Sequence, residues 1–170
     1  ALDVTPQAQI LDLIRALQAR HGTAVLFITH DFGVVSQIAD RVAVMQLGEI
    51  VEAGTAAEVL GHPRHDYTRK LIAAIPHGMP ASVRSAEPQP VLLDVRDLTK
   101  TYVSGGGLFR RGRETAAMRG ISFTLRRGEV LGLVGESGSG KSTLGRCIAG
   151  LLAQDSGQVH LNGQAPNARP

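Results

Sequence analysis

The sequence predicts an α/β fold with a parallel core sheet and a flanking antiparallel β part, and three observations lead there. Ala24–Thr29 is a short, wholly apolar run of the kind buried on both faces of a parallel sheet. Glu129–Val134 is a second apolar strand, and a glycine-rich turn and a helix follow it directly. Val91–Val95 and Ile121–Leu125 alternate apolar and polar residues, as half-exposed strands do. With 170 residues, 43% of them hydrophobic and 19% charged, the chain has the composition of a globular protein with a sizeable core. That length accommodates one domain or parts of two.

Taken in order, Thr5 and Pro6 signal a helix start, a hydroxyl cap and then a ring whose missing N–H is harmless in the first turn. Ile10, Leu11, Ile14 and Leu17 continue at helical spacing until His21-Gly22. After the strand at Ala24–Thr29, Phe32–Ala39 reads as a short helix. Arg41–Gln46 and Glu49–Glu52 then form a hairpin-like pair across Leu47-Gly48. Thr55 to Glu58 has the spacing of a capping box, which opens a helix ending near Gly61. A further helix, Tyr67–Ala74, precedes Pro76. Residues 76–90 hold four prolines and few bulky apolar side chains, so they read as a linker. Ser104–Arg113, between the alternating strands, is a Gly- and Arg-rich loop. Lys141–Leu152 is a helix with Leu144, Ile148, Leu151 and Leu152 on one side. Gln158–Leu161, followed by Asn162-Gly163, opens another hairpin.

Composition bounds the partners. The formal charge of +3, from 18 basic and 15 acidic residues, is too mild to point to nucleic acid, and no nucleic-acid partner is expected. Cys147 is the sole cysteine, so one chain can build neither a disulfide framework nor a cysteine-based metal site. The longest apolar stretches fall short of the about 20 residues a spanning helix needs, so any membrane role is expected to be peripheral. The start at Ala1 and the polar tail Gln164–Pro170 suggest a piece of a longer protein.

The strongest chemical signal is Gly135-Glu136-Ser137-Gly138-Ser139-Gly140-Lys141-Ser142, a P-loop in the order strand, glycine turn, helix. Its glycines let successive N–H groups point inward at phosphate oxygens, and the positive end of the following helix adds to that field. Lys141 supplies a mobile charge for the β- and γ-phosphates, and the Ser142 hydroxyl can ligate Mg²⁺. ATP with Mg²⁺ is the expected ligand. Hydrolysis additionally needs a second carboxylate for the metal and a group that positions water. No run of four apolar residues ending in Asp-Glu occurs, so the Walker B strand is absent, and Asp31, following His30, is a poor substitute.

Weaker signals admit two readings each. His30, at the end of an apolar strand, either senses a γ-phosphate at the carboxyl edge of the sheet or satisfies a local backbone group. Tyr102 either stacks on a base or packs at a strand end. Arg110, Arg111 and Arg113 either meet acidic partners or lipid headgroups, or form a solvated loop. Ser104-Gly105-Gly106-Gly107 lacks the neighbours of a signature loop and is read as a flexible stretch.

These residues resemble the ATP-binding-cassette (ABC) transporter ATPases, a family of P-loop NTPases with a RecA-like core, in two pieces. Residues 1–75 resemble the back half of one cassette. Ala1-Leu2-Asp3 is similar to the end of the D-loop, Ile28-Thr29-His30-Asp31 to the switch-histidine motif, and Asp40–Val42 with Gly48–Gly54 to the strands after it. Residues 91–170 resemble the front half of a second cassette, through Arg127-Gly128-Glu129, the Walker A loop, Asp155-Ser156-Gly157 and Asn162-Gly163, with residues 76–90 as linker. His62–Leu71 through Pro76 looks like the C-terminal extension of the oligopeptide and dipeptide importers. Some members bear an iron–sulfur cluster there, but this extension has no cysteine.

The resemblance implies an ATP-hydrolysing parent at the cytoplasmic face of the bacterial inner membrane. Its partners would be membrane-spanning subunits, a second cassette and, indirectly, a solute-binding protein. It implies that Tyr102 stacks on adenine and that Gly135, Ser137, Gly138, Ser139, Gly140, Lys141, Ser142 and Thr143 bind nucleotide. His30 becomes the catalytic switch residue of one site, and Asp3 faces the site containing Lys141. The family's strand order further implies that Ala24–Thr29 pairs with Val130–Val134. Without Walker B and signature loops, the chain alone is expected to be inactive. The alternative is a non-catalytic nucleotide-binding or scaffolding module.

Overall fold

A computed structural model of the chain describes residues 4–74, 89–104 and 113–165. In chain order the elements are α1 (Val4–His21), β1 (Val25–Ile28), α2 (Phe32–Ile38), β2 (Arg41–Gln46), β3 (Glu49–Thr55), α3 (Ala56–Gly61) and α4 (Asp66–Ala73). β4 (Val91–Ser104), β5 (Arg113–Arg126), β6 (Val130–Val134), α5 (Lys141–Ile148) and β7 (Ser156–Leu161) complete the series.

β6 is apolar throughout and buried along its whole length because it lies inside a four-stranded sheet of order β1-β6-β2-β3. Both of its neighbours run parallel to it, with Val25 opposite Val130 on one side and Arg41 opposite Leu131 on the other. The pairing of β1 with β6 is the one the family's strand order implied. β3 returns antiparallel to β2 through Leu47 and Gly48, both at positive φ. A separate antiparallel sheet of order β5-β4-β7 completes the β structure. The chain is therefore α/β, with a sheet that contains parallel strands and a second, antiparallel one.

The period of two along β2 and β6 divides the core into two layers. Val42, Val44, Val130 and Val134 face Leu11 of α1, Phe32, Val35 and Ile38 of α2, Val59 of α3 and Tyr67 of α4. Ala43, Met45, Leu131 and Leu133 face Leu98, Met118 and Ile121 of the antiparallel sheet, with Leu144 and Cys147 of α5. Helix α2 lies close over the sheet because residue 132 is glycine: a Cβ there would stand 2.6 Å from Val35 Cγ1.

Several expectations require correction. β1 is only half-buried, because it is an edge strand with β6 as its sole ladder partner among the described residues. Residues 4 and 5 both lie within α1, so Thr5 is not the residue preceding the helix. α5 stops at Ile148 rather than Leu152. Gly150 takes φ +69°, and Leu151, placed on the apolar side by spacing, is 78% exposed. β4 and β5 are far longer than the alternating runs. Register shifts between Val95 and Leu98, and again around Lys100, break the alternation without ending the ladder. The capping box at Thr55 and Glu58 is present in full. The linker at 76–90 falls largely outside the described residues, as do Asp3, Gly105–Gly107, Arg110 and Arg111.

Candidate functional site

The loop between β6 and α5 leaves the sheet at its carboxyl edge, where open α/β sheets gather their ligands. Two of its glycines are required by space as well as by backbone angle. Gly135 has φ +153°, and a Cβ there would stand 2.1 Å from the Met45 carbonyl oxygen. Gly140 has φ +102°, and a Cβ there would stand 2.1 Å from that of Ala117. The loop is thus wedged between the end of β2 and the body of β5, a contact only bare backbone can make. The Gly48 amide at the β2–β3 turn donates to the Ser139 carbonyl at 2.9 Å. The Arg119 amide in turn donates to the Gly48 carbonyl at 2.8 Å.

Lys141 reaches back over the loop. Its ammonium donates to the carbonyls of Gly135 at 2.8 Å and Glu136 at 2.6 Å, and to Ser139 Oγ at 3.2 Å. Partial burial lowers its pKa from the ordinary 10.5, against the opposing attraction of the Glu136 carboxylate. Gly140 is the N-cap of α5, which has no side-chain cap and no acidic residue in its first turn. Among the described residues no side chain caps its leading amides, which lie at the positive end of the helix. Such a cradle, a lysine above it and the exposed Ser142 hydroxyl beside it fit the phosphates and metal of a Mg–nucleotide.

The structure brings Tyr102 to this site. Near the end of β4, 41% exposed, its hydroxyl lies 3.5 Å from Thr143 Oγ1 on the first turn of α5. His30 follows β1 at the same sheet edge, since the neighbouring Thr29 amide donates to the Leu133 carbonyl at 3.1 Å. Its ring is exposed and hydrogen-bonds no described residue. The Asp31 carboxylate is engaged elsewhere: it caps α2 by accepting the amides of Gly33 at 2.8 Å and Val34 at 3.2 Å. Ser137 and Gly138 form the exposed crest of the loop, and Ser139 is buried beneath it.

Two residues touch the loop in a way the sequence did not signal. Tyr67 of α4 accepts the Glu136 amide at 3.1 Å through its hydroxyl, whose pKa burial pushes up. Gly48 was visible only as a turn residue. A groove of about 540 Å³ along β3 and α3 lies apart from the loop and is lined by Glu52, Glu58, His62, Arg64 and His65. There the Glu52 carboxylate accepts the amides of Arg64 at 2.7 Å and His65 at 3.1 Å. Burial, the largest single influence, would raise the Glu52 pKa, but these bonds together with the Thr68 side chain and the nearby His65 ring leave a net lowering.

Comparison with known proteins bears on the same region. Residues 118–169 match the family model described as ABC transporter. The peptidoglycan transport ATP-binding protein YejF of Agrobacterium fabrum is 47% identical over 166 residues, covering 97% of this chain and 30% of that protein. The glutathione import ATP-binding proteins GsiA of Salmonella choleraesuis and Escherichia coli are each 44% identical over 190 residues. They cover 96% of this chain and 30% of their own length. The chain thus spans about 30% of the length of these curated relatives. Among the described residues no helix is long and apolar enough to cross a membrane. The ABC transporter family match spans β6, the phosphate loop, α5 and β7, and the chain is similar over nearly its whole length to transport ATP-binding proteins.

Proposed function

We propose that this chain binds Mg–ATP at Gly135–Ser142 and forms part of an ATP-hydrolysing subunit that powers import of peptides or similar solutes. The carrying observation is the loop's conformation, a glycine cradle with the Lys141 ammonium poised above it and uncapped α5 amides in front. Gly135, Ser137, Gly138, Ser139 and Gly140 shape the cradle, and Lys141 carries the charge for the β- and γ-phosphates. Ser142 offers its hydroxyl to Mg²⁺, Thr143 lines the first helical turn, and Tyr102 offers its ring to adenine. When bound, the nucleotide supplies the phosphoanhydride whose cleavage drives the whole protein. The residues of this chain hold and orient it.

The import role rests on the relatives' names, which speak of peptidoglycan transport and glutathione import. In this reading residues 1–75 are the back half of one cassette with its importer-type extension, and residues 91–170 are the front half of a second. His30 then serves as switch residue for one ATP site, and Asp3 faces the other. Partners are membrane-spanning subunits, a complementary cassette and, indirectly, a solute-binding protein, at the cytoplasmic face of a bacterial inner membrane.

The same reading makes the 170-residue chain inactive in turnover, because its sequence holds no Asp-Glu at the end of an apolar strand. That observation also favours the second reading, a nucleotide-binding module without catalysis. A fluorescent ATP analogue with Mg²⁺ should bind saturably, and Lys141→Ala should weaken binding by at least about tenfold. Phosphate release should equal that of Lys141→Ala. Steady release abolished by Lys141→Ala would overturn inactivity, and no saturable binding would overturn the site.

A further inference from the structure

The His62–Leu71 segment, distinctive in the sequence, has no part in the chemistry above, yet it ends against the phosphate loop. Its path can be followed bond by bond. Both Glu52 carboxylate oxygens on β3 accept amides, from Arg64 at 2.7 Å and His65 at 3.1 Å. His65 Nδ1 then caps α4 by accepting the Tyr67 amide at 3.2 Å. Tyr67, buried in the core, accepts the Glu136 amide at 3.1 Å. The segment is thereby fixed to the sheet at one end and to the loop at the other.

The atom that Tyr67 holds matters. The Glu136 N–H and the Gly135 C=O belong to one planar trans peptide unit, so they point in opposite directions. Tyr67 takes the N–H on one side, and Lys141 Nζ takes the C=O at 2.8 Å on the other. Gly135 has no Cβ to resist rotation of that plane. Lys141 also reaches the Glu136 carbonyl and Ser139 Oγ, but among the described hydrogen bonds only those of Tyr67 and Lys141 fall on the Gly135–Glu136 peptide plane itself.

We propose that Tyr67 is a positioning residue for nucleotide binding: its hydroxyl fixes the Gly135–Glu136 peptide plane and, through that plane, the ammonium of Lys141. The proposal rests on the reading of Gly135–Ser142 as the nucleotide site, and it gives the 62–67 segment the role of a strut under that site. It also explains a tyrosine at a core position. Phenylalanine would fill the same volume, but only the hydroxyl can accept the amide.

The test compares the full chain with Tyr67→Phe in three measurements. Without nucleotide, hydrogen exchange of the Glu136 amide, followed by NMR, should accelerate by roughly two- to tenfold while a core amide such as Leu98 stays unchanged. Acetylation of Lys141 by acetic anhydride, read by mass spectrometry against Lys70, should rise by a similar factor, a readout that ring packing alone would not move. The Mg–ATP dissociation constant should rise by roughly two- to tenfold. Unchanged exchange or unchanged Lys141 labelling in the variant overturns the proposal, as does an unprotected Glu136 amide in the unmodified chain, which needs no variant. If the unmodified chain binds no Mg–ATP, the nucleotide reading and its positioning role both fail, and the first two measurements still decide the strut.

Discussion

Gly48 donates its amide hydrogen to the Ser139 carbonyl at 2.9 Å, so the tip of the β2–β3 hairpin is tied to the phosphate loop. Ser139 also holds Lys141 through its hydroxyl. The hairpin tip is therefore two hydrogen bonds removed from the Lys141 ammonium, the charge proposed to meet phosphate.

This relationship sets a first prediction. Gly48 has φ +88°, and a Cβ there would stand 2.9 Å from the Ala117 carbonyl oxygen. Gly48→Ala should destabilise the chain by about 1–3 kcal/mol in urea unfolding. It should also weaken Mg–ATP binding, because Ser139 must shift. Gly61→Ala is the matched control. Gly61 is the last residue of α3, with nothing within 4 Å of the added Cβ. That change should be neutral or stabilising by up to about 1 kcal/mol. Equal losses at both positions would sink the argument.

Lys141 sets the second. Burial lowers its pKa from 10.5, so the folded chain releases this proton at lower pH than the unfolded chain does. The charged form carries a burial penalty in the folded chain, so its contribution to stability improves as pH rises through the lowered folded value toward 10.5. Nucleotide affinity runs the opposite way, since phosphate needs the charge. Mg–ATP affinity should begin to fall below pH 10.5, and the fall should flatten in Lys141→Arg, whose guanidinium stays charged. Affinity constant up to that pH would contradict the lowered value.

The phosphate loop was legible because its chemistry lies in consecutive residues: strand, glycines, lysine and hydroxyl are all local. Tyr67 and Gly48 were not, since each acts on the loop from far along the chain and neither residue type announces such a contact. β1 misled for a related reason. Val-Leu-Phe-Ile has the same composition whether one or two strands flank it, and only the strand order puts it at the edge among the described strands. In α5 the spacing of Leu144, Ile148 and Leu151 matched a longer helix. Gly150 at φ +69° ends that helix regardless of the apolar period. β4 hides its length behind register shifts and Asp97 at φ +47°, where alternation fails while the ladder persists.

Glu129 sets the third prediction. Its Oε1 accepts Arg41 Nη1 at 3.0 Å and its Oε2 accepts the Arg126 amide at 2.6 Å, joining β2 to the turn before β6. The Glu129 side chain is 9% exposed and that of Arg41 33% exposed, so screening is limited. Glu129→Ala removes the acceptor of the Arg126 amide and leaves the part-buried Arg41 guanidinium with the Thr124 carbonyl at 3.2 Å, and should cost about 1–3 kcal/mol. Arg119 and Glu49 form the contrast, 3.7 Å apart with both side chains 54% exposed. Glu49→Ala should change stability by less than about 1 kcal/mol. Chemical unfolding of both variants distinguishes a structural tie from a surface pair.

Asp155 sets the last. Its pKa is lowered from 3.8, first by the Lys100 ammonium at 2.7 Å and then by the Thr101 amide at 2.6 Å. A carboxyl depressed on folding contributes stability that is complete above its unfolded pKa and is lost as pH falls through the folded value. Asp155→Asn should therefore melt below the unmodified chain at pH 6, and the two curves should converge below pH 3.8. Salt should narrow the gap only in part, since it screens the exposed ion pair more than the bond to the amide. Thr101 adjoins Tyr102 on β4, so the same variant should loosen the tyrosine and weaken Mg–ATP binding. A gap that persists unchanged at pH 2 would assign the effect to the side chain's shape rather than its charge.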